Sequence, residues 1–250
     1  MSRPRVFIDG VVGEDALTLT EEDHHYLTRV RRLPTGAEVE VVGSDGTAGL
    51  FRMEHVTAER VRLVLGERLP SRRLSGVLTL IQPLLQRKKL ELAVQKATEL
   101  GVDSIRLVAA SRSVARWEAG ELHHRLTRLD RIALEASRQC RRDAPPVIEL
   151  LEGFGALESS RRAERRLVLA EEATEGALGL AELSGLPRPQ RVVVAVGPEG
   201  GLAASEVEAL RGAGFETLHL GPLVLRTETA SLLACVAGGL ALGRYARESS

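Results

Sequence analysis

The chain has 250 residues and an apolar fraction of 44%, which excludes a disordered protein and allows one large domain or two smaller ones. Lys plus Arg and Asp plus Glu number 34 each, so the formal charge of +0 points to no particular class of partner. The two cysteines, Cys140 and Cys235, exclude a disulfide framework, no apolar run predicts a membrane span, and we expect a cytoplasmic protein without a metal site.

Residues 1–72 are predicted to form a small β-barrel domain with one helix. Thr20 and the acidic residues that follow it predict the start of this helix, because a Thr can cap the first turn and acids favour its positive end. A turn at residues 43–46 separates two of the predicted strands. The strands are predicted at Arg5–Ile8, Glu38–Val42, Leu50–His55 and Arg60–Leu65. The polar, proline-containing segment 67–76 predicts a domain boundary.

From Val77 onward, predicted strands alternate with predicted helices, which indicates a parallel sheet covered by helices on both faces. The strands are predicted at Leu78–Pro83, Ser104–Ala109, Arg166–Ala170, Arg191–Val196 and Thr217–Leu220. The helices are predicted at Lys89–Leu100, Leu122–Arg141, Ser205–Ala213 and Ala230–Arg244. We therefore expect an α/β domain over residues 73–250.

A glycine-rich loop, Gly197-Pro198-Glu199-Gly200-Gly201, directly follows the most apolar predicted strand. Ligands of open α/β sheets bind at the carboxyl ends of the strands, and glycines let the backbone approach a ligand closely. Ser205, with Glu208 three residues later, predicts the start of the next helix. By itself, this loop is equally consistent with an ordinary turn after a strand.

A second loop, from Leu220 through Gly221 to Ala230, follows another predicted strand. Thr227 or Thr229 is predicted to cap the helix after it, with Glu228 favouring the positive end of the helix dipole. Two glycine-bearing loops at neighbouring strand ends can enclose one small ligand.

Together, the two loops resemble the signature of the SPOUT, or trefoil-knotted, RNA methyltransferases. More narrowly, they resemble the bacterial 16S ribosomal RNA (uracil-N3)-methyltransferase family. The string Leu225-Arg226-Thr227-Glu228-Thr229-Ala230 is highly specific. Further similar segments lie at residues 95–102, 111–113, 135–140 with Arg142, and 25–32.

The resemblance implies a trefoil-knotted methyltransferase domain over residues 73–250 and a PUA-like RNA-binding β-barrel over residues 1–72. It also implies S-adenosylmethionine as cofactor, a homodimer, and a uridine in the decoding region of the 16S rRNA of the small ribosomal subunit as target. The segment Gln86–Lys89 replaces the acid-containing turn common in the family, which leaves the RNA contacts there open.

Contacts to the cofactor are expected mainly from the backbone of the two loops. The predicted cofactor-binding residues are Gly197, Pro198, Glu199, Gly200, Gly201, Leu220, Gly221, Leu225 and Thr229. Arg226 is the first catalytic candidate, because a guanidinium can pair with a uracil carbonyl or a phosphate. Glu199 and Glu228 are candidates for accepting the proton or orienting the substrate. Structural alternatives are an Arg226 bonded to loop carbonyls, a Glu199 that fixes its own loop and a Glu228 that only starts a helix.

Five arginines are predicted to contact RNA, chiefly through its phosphates. They are Arg29, Arg31, Arg32, Arg87 and Arg112. An ordinary solvated surface explains the first three nearly as well.

Two other functions remain open at the level of the sequence. One is a related knotted methyltransferase acting on tRNA or on a ribose 2′-hydroxyl. The other is a non-catalytic RNA-binding factor in ribosome assembly that keeps the pocket as a relic. The intact glycines and the intact segment 225–230 favour an enzyme.

Overall fold

The computed structural model describes residues 3–13, 15–157, 164–169 and 176–245. The chain divides into two compact units, of which the first comprises Met1–Arg73 with Ser137–Ala144 and the second Leu74–Ala136 with Pro145–Ser250. The predicted boundary at residues 72 and 73 did not assign the segment Ser137–Ala144 to the first domain. This segment belongs to the first unit because its side chains and backbone pair with those of residues 5, 23, 40, 71 and 72.

The first unit contains a five-stranded mixed sheet. Its strands are β1 (Arg5–Ile8), β2 (Ala16–Thr20), β3 (Glu38–Gly43), β4 (Ala48–Val56) and β5 (Arg60–Leu69). They follow the order β1-β3-β4-β5-β2, with β1 parallel to β3 and every other pair antiparallel. The four predicted strands are confirmed, and the turn between β3 and β4 uses Gly46 at φ +86°, where glycine is unstrained.

The predicted helix of the first unit is confirmed, but it changes pitch halfway. Helix α1 covers Glu21–His25 and continues as a π-helical turn over Tyr26–Val30. Leu27 points into the core of this unit and is fully buried with Phe51 and Met53.

An ionic cluster is buried in the first unit. The carboxylate of Glu40 on β3 accepts a hydrogen bond from Nε of Arg5 on β1 at 3.1 Å, and both side chains are only 2% exposed. Arg141 donates to the other oxygen of the same carboxylate, and Arg5 also donates to the carbonyl of Arg142. One carboxylate thus links two strands to the segment that follows residue 136.

The second unit is built on a seven-stranded sheet in which every pair is parallel. Its strands are β6 (Val77–Pro83), β7 (Ser104–Val108), β8 (Val147–Leu151), β9 (Glu164–Leu169), β10 (Leu178–Gly179), β11 (Arg191–Ala195) and β12 (Glu216–His219). Their order is β10-β12-β9-β11-β6-β7-β8. The five predicted strands are confirmed, except that Ala170, the last residue of one of them, lies outside the described residues.

Helices cover both faces of this sheet. They are α2 (Arg87–Glu99), α3 (Leu122–Cys140), α4 (Leu180–Leu183), α5 (Ala204–Gly212) and α6 (Thr227–Ala241). On the central strand β11, Val192 and Val194 join the core formed with α2 and α6, whereas Val193 and Ala195 join the core formed with α5. This alternation explains why the whole strand is apolar. No helix in the described ranges is long and apolar enough to cross a bilayer.

Helix α6 approaches the sheet most closely at Gly238. A Cβ on this residue would lie 2.4 Å from Cδ1 of Leu78 and 3.1 Å from Cγ1 of Val194. We expect Gly238→Val to lower the free energy of unfolding by about 2–3 kcal/mol, because a close-packed core tolerates added volume poorly. Urea denaturation measures this. The control is Gly212→Ala, since a Cβ there meets no atom within 4 Å. Equal stabilities of the two variants would contradict the prediction.

Candidate active site

The second unit holds a cavity of about 790 Å³ at the carboxyl ends of strands β9, β11 and β12. Both loops that the sequence singled out line it. The lining residues from these loops are Gly197–Gly201, Leu220, Gly221, Leu223–Thr227 and Ala230. Apolar side chains, among them Leu202, Leu210 and Phe215, complete the wall. Such a mixture of backbone groups and apolar surface suits a flat ring with polar edges.

The first loop needs its glycines for two different reasons. Gly201 has φ +71°, a left-handed conformation that favours glycine, and its N–H donates to the carbonyl of Pro198 at 2.9 Å. Gly200 lies against Arg112, so that a Cβ on Gly200 would be 3.0 Å from Cβ of that residue. Arg112, a predicted RNA contact, also lines the cavity and donates to the carbonyl of Gly200 at 3.2 Å.

Glu206 fixes the helix that follows this loop. The helix was predicted to begin at Ser205, with Glu208 as the glutamate that fixes its first turn. Helix α5 instead begins one residue earlier, at Ala204. The glutamate in this role is Glu206, two residues earlier than predicted, whose Oε2 accepts from the Ala203 N–H at 2.8 Å. Its Oε1 accepts from the N–H and hydroxyl of Ser111 at 2.7 and 3.0 Å. Burial acts to raise the pKa of Glu206, but these hydrogen bonds outweigh burial and lower it.

The second loop presents Arg226 to the cavity. Helix α6 begins at Thr227, earlier than the predicted Ala230, and Arg226 is its N-cap residue, without a capping side-chain hydrogen bond. The predicted capping roles of Thr227 and Thr229 are therefore wrong. Gly221 has φ +111°, and a Cβ there would meet no atom within 4 Å. The Arg226 side chain is exposed and forms no ion pair with any described residue.

The two candidate acids share a lysine that sequence reasoning missed. Nζ of Lys89, in the first turn of α2, lies 3.0 Å from Oε1 of Glu199 and 4.0 Å from Oε2 of Glu228. Glu199 lines the cavity, whereas Glu228 and Thr229 are not among its described lining residues. Oε2 of Glu228 is buried and makes no hydrogen bond within the described part of the chain. In the sequence, the only sign of this region was that residues 86–89 replace the acid-containing turn common in the resembled family.

The remaining arginines predicted to contact RNA lie elsewhere. Arg29, Arg31 and Arg32 are exposed on the first unit, and Arg32 has φ +51°. Arg87, at the start of α2, lines a second cavity described below.

Comparison with known proteins decides the family. Residues 72–238 match the RNA methyltransferase domain family. The ribosomal RNA small subunit methyltransferase E of Mycobacterium bovis is 31% identical over 252 residues, which cover 98% of this chain and 94% of that protein. The chain belongs to the ribosomal RNA small subunit methyltransferase E family. A member from Bacillus subtilis is also 31% identical, over 87% of each chain.

Solved structures, among them one of the ribosomal RNA small subunit methyltransferase E family, share the fold. A crystal structure of the member from Neisseria gonorrhoeae, bound to S-adenosyl methionine, has a TM-score of 0.82 and 25% identity, and the match covers 95% of this chain and 97% of that chain. A methyltransferase from Legionella pneumophila has a TM-score of 0.84 at 24% identity. The predicted family and the predicted α/β class with its parallel sheet are thus confirmed.

Proposed function

We propose that the protein transfers the methyl group of S-adenosylmethionine to ring nitrogen N3 of a uridine in the decoding region of 16S rRNA. The observation that carries this proposal is the cavity at the strand ends. Both glycine-bearing loops line it, and they present one exposed guanidinium, that of Arg226, beside apolar walls. Membership of the ribosomal RNA small subunit methyltransferase E family supports a target in the small ribosomal subunit.

The residues of the cavity fit S-adenosylmethionine. Leu202, Leu210 and Phe215 offer apolar surface for an adenine ring, and the loops at residues 197–201 and 220–225 offer backbone groups for its polar edges. Open space around the Cβ position of Gly221 leaves room for a ligand. A related structure from Neisseria gonorrhoeae, bound to this compound, supports the assignment. The cofactor supplies the methyl group.

The chain's own residues have two tasks in this reaction. Methylation at N3 requires loss of the imide proton, and the uracil must leave its pairing partner to reach the methyl donor. Arg226 stabilises the negative charge that develops on the uracil ring. Glu199, held by Lys89, orients the substrate or accepts the proton. Glu228 has the same assignment with weaker support, because it is not among the described lining residues.

Several finer features belong to the same proposal. Residues 73–250 form a trefoil-knotted SPOUT domain, and residues 1–72 form a PUA-like β-barrel that contacts RNA through Arg29, Arg31 and Arg32. The protein acts in the cytoplasm as a homodimer. Support for the dimer comes from Leu223 and Val224, which line the cavity and are 77% and 74% exposed, since an apolar surface of this kind commonly marks an interface.

The decisive experiment is methyl transfer from labelled S-adenosylmethionine to isolated small ribosomal subunits and to free 16S rRNA. The product nucleosides are then identified by mass spectrometry. We expect N3-methyluridine from at least one of the two substrates. A 2′-O-methyl nucleoside, or methylation of tRNA instead, would contradict the proposal, and failure to bind S-adenosylmethionine in calorimetry would exclude an enzyme of this kind.

Substitution of Gly221 tests the cofactor assignment. At φ +111° an alanine is strained by on the order of 1–3 kcal/mol, so the loop must shift. We expect Gly221→Ala to weaken binding of S-adenosylmethionine about tenfold or more, as measured by calorimetry. Gly212→Ala adds the same methyl group at a residue of α5 without this strain and should bind normally. Normal binding by both variants would remove Gly221 from the cofactor site.

A further inference from the structure

The second unit contains another cavity, of about 480 Å³, which the proposed methyl transfer does not use. Three stretches form its walls: the start of α2, the segment around residues 117–121 and the first half of α3. The side chains that matter for its chemistry are Arg87, Glu91, Trp117, Glu121, Arg125 and Arg128. We call it the tryptophan cavity.

The tryptophan cavity lies on the same edge of the sheet as the proposed active site. Strand β6 pairs in parallel with β11, and β7 pairs in parallel with β6. The chain that leaves the carboxyl ends of β6 and β7 forms the cavity walls. Helix α2 borders both cavities in its first turn, since Arg87 lines the tryptophan cavity and Lys89 pairs with Glu199 of the other. The segment from Arg112 to Trp117 runs from one cavity to the other.

Trp117 is the one tryptophan of the chain. The guanidinium of Arg125 lies over its ring, 5.6 Å from the centroid, and the Nε1 donor of the indole is buried without a hydrogen bond to any described residue. Glu121 holds Arg125 through a pair in which the side chains are 49% and 34% exposed. Exposed pairs of this kind are weak, so an entering ligand can displace the guanidinium or stack on it.

The cavity also carries an excess of positive charge. Glu91 accepts from Nε of Arg87 at 2.9 Å and pairs with Arg128 from α3, so two guanidinium groups share one carboxylate. The hydrogen bond from Arg128 contributes most to lowering the pKa of Glu91 to about 2, which keeps it ionised. One positive charge therefore remains uncompensated, and both arginines are largely exposed.

We propose that the tryptophan cavity binds an unpaired nucleotide of the RNA strand that flanks the methylated base. Its base stacks on Trp117 and Arg125, and its phosphate pairs with Arg87 and Arg128, which is how proteins commonly hold single-stranded RNA. This inference rests on the proposed RNA substrate. It also places the RNA contact predicted for Arg87 in the tryptophan cavity.

Intrinsic fluorescence gives a direct test, because Trp117 is the only tryptophan. The probe is a short single-stranded oligouridine, titrated into the full-length protein at several salt concentrations. We expect saturable quenching by the oligonucleotide and little change with S-adenosylmethionine alone. RNA binding, measured independently by anisotropy of a labelled oligouridine, without a change in Trp117 fluorescence would overturn the proposal.

Two substitutions with opposite expected signs separate nucleotide binding from a merely structural role. Arg128→Ala should weaken binding and lower the slope of log affinity against log salt by about 0.7, the value for one phosphate contact on a single strand. Glu91→Gln should strengthen binding several-fold, because it releases both guanidinium groups. The matched control is Arg131→Ala, on the same helix, whose side chain is 81% exposed and does not line the cavity.

Trp117→Ala should weaken oligonucleotide binding about tenfold, as expected for the loss of one stacked base, and Trp117→Phe should retain most of it. Anisotropy measures binding by these variants. Equal weakening by Arg128→Ala and Glu91→Gln would identify a structural ion pair and overturn the proposal.

The outcomes also separate this inference from the proposed function. If small subunits acquire N3-methyluridine with unchanged KM in the Trp117→Ala and Arg128→Ala variants, the cavity does not hold substrate although the proposed function stands. If oligonucleotide binding responds as expected but no RNA is methylated, the proposed function fails while the nucleotide site stands.

Discussion

Arg226→Ala is expected to lower the rate of methyl transfer by about 10²–10³-fold, the usual cost of removing one preorganised donor from a developing anion. The guanidinium lines the cavity, is exposed, and forms no ion pair with a described residue, so its charge is available to a ligand. Loss of the N3 proton leaves negative charge on the uracil ring, and a guanidinium pairs well with a carbonyl oxygen that carries this charge.

Single-turnover rates with saturating small subunits measure this effect, and calorimetry measures the affinity for S-adenosylmethionine. We expect that affinity to stay near the native value and Arg226→Lys to keep an intermediate rate, since lysine retains the charge but not the planar fork. Arg131→Ala, a remote and exposed position, should be fully active. Full turnover by Arg226→Ala would remove this residue from the mechanism, and lost cofactor binding would instead make it a binding residue.

The sequence predicted those parts of the site whose positions follow directly from the succession of strands and loops along the chain. Loops that follow parallel strands must meet at one edge of the sheet, and the two glycine-bearing loops do so. The sequence predicted Glu228 and Thr229 as site residues and, separately, a helix that begins at Ala230. Because α6 already begins at Thr227, both lie in its first turn, where successive side chains point in different directions.

Contacts between residues far apart in the sequence could not be predicted. Lys89 reaches Glu199 across 110 positions, and Ser111 reaches Glu206 across 95. No local pattern encodes either pairing. The elements missed in the fold include the four-residue helix α4 and the strands β2, β8 and β10. These strands have two to five residues and lack the run of consecutive valines that marks β11. Short strands are stabilised mainly by their neighbours, and propensity predicts them poorly.

Glu40→Ala is expected to lower the free energy of unfolding of the first unit by about 3–5 kcal/mol, because it removes the carboxylate that pairs with a buried arginine. Glu40 and Arg5 are each 2% exposed, and Arg141 also donates to this carboxylate. Burial lowers the pKa of Arg5, yet an arginine keeps its charge, so the variant leaves that charge buried with only Asp143, 3.8 Å away, to compensate it.

Glu38 provides a matched control on the same strand. It pairs with Arg3 on the surface, where the two side chains are 50% and 49% exposed, so Glu38→Ala should cost no more than about 1 kcal/mol. Urea denaturation followed by circular dichroism measures both variants. A cost for Glu40→Ala no larger than that for Glu38→Ala would show that water reaches the cluster. Replacing Arg5, Glu40 and Arg141 together with apolar residues should restore part of the lost stability, because neither Arg5 nor Glu40 is then left as a buried charge. Asp143 loses the nearby Arg5 but keeps its hydrogen bonds from the Ser71 hydroxyl and the Arg72 N–H.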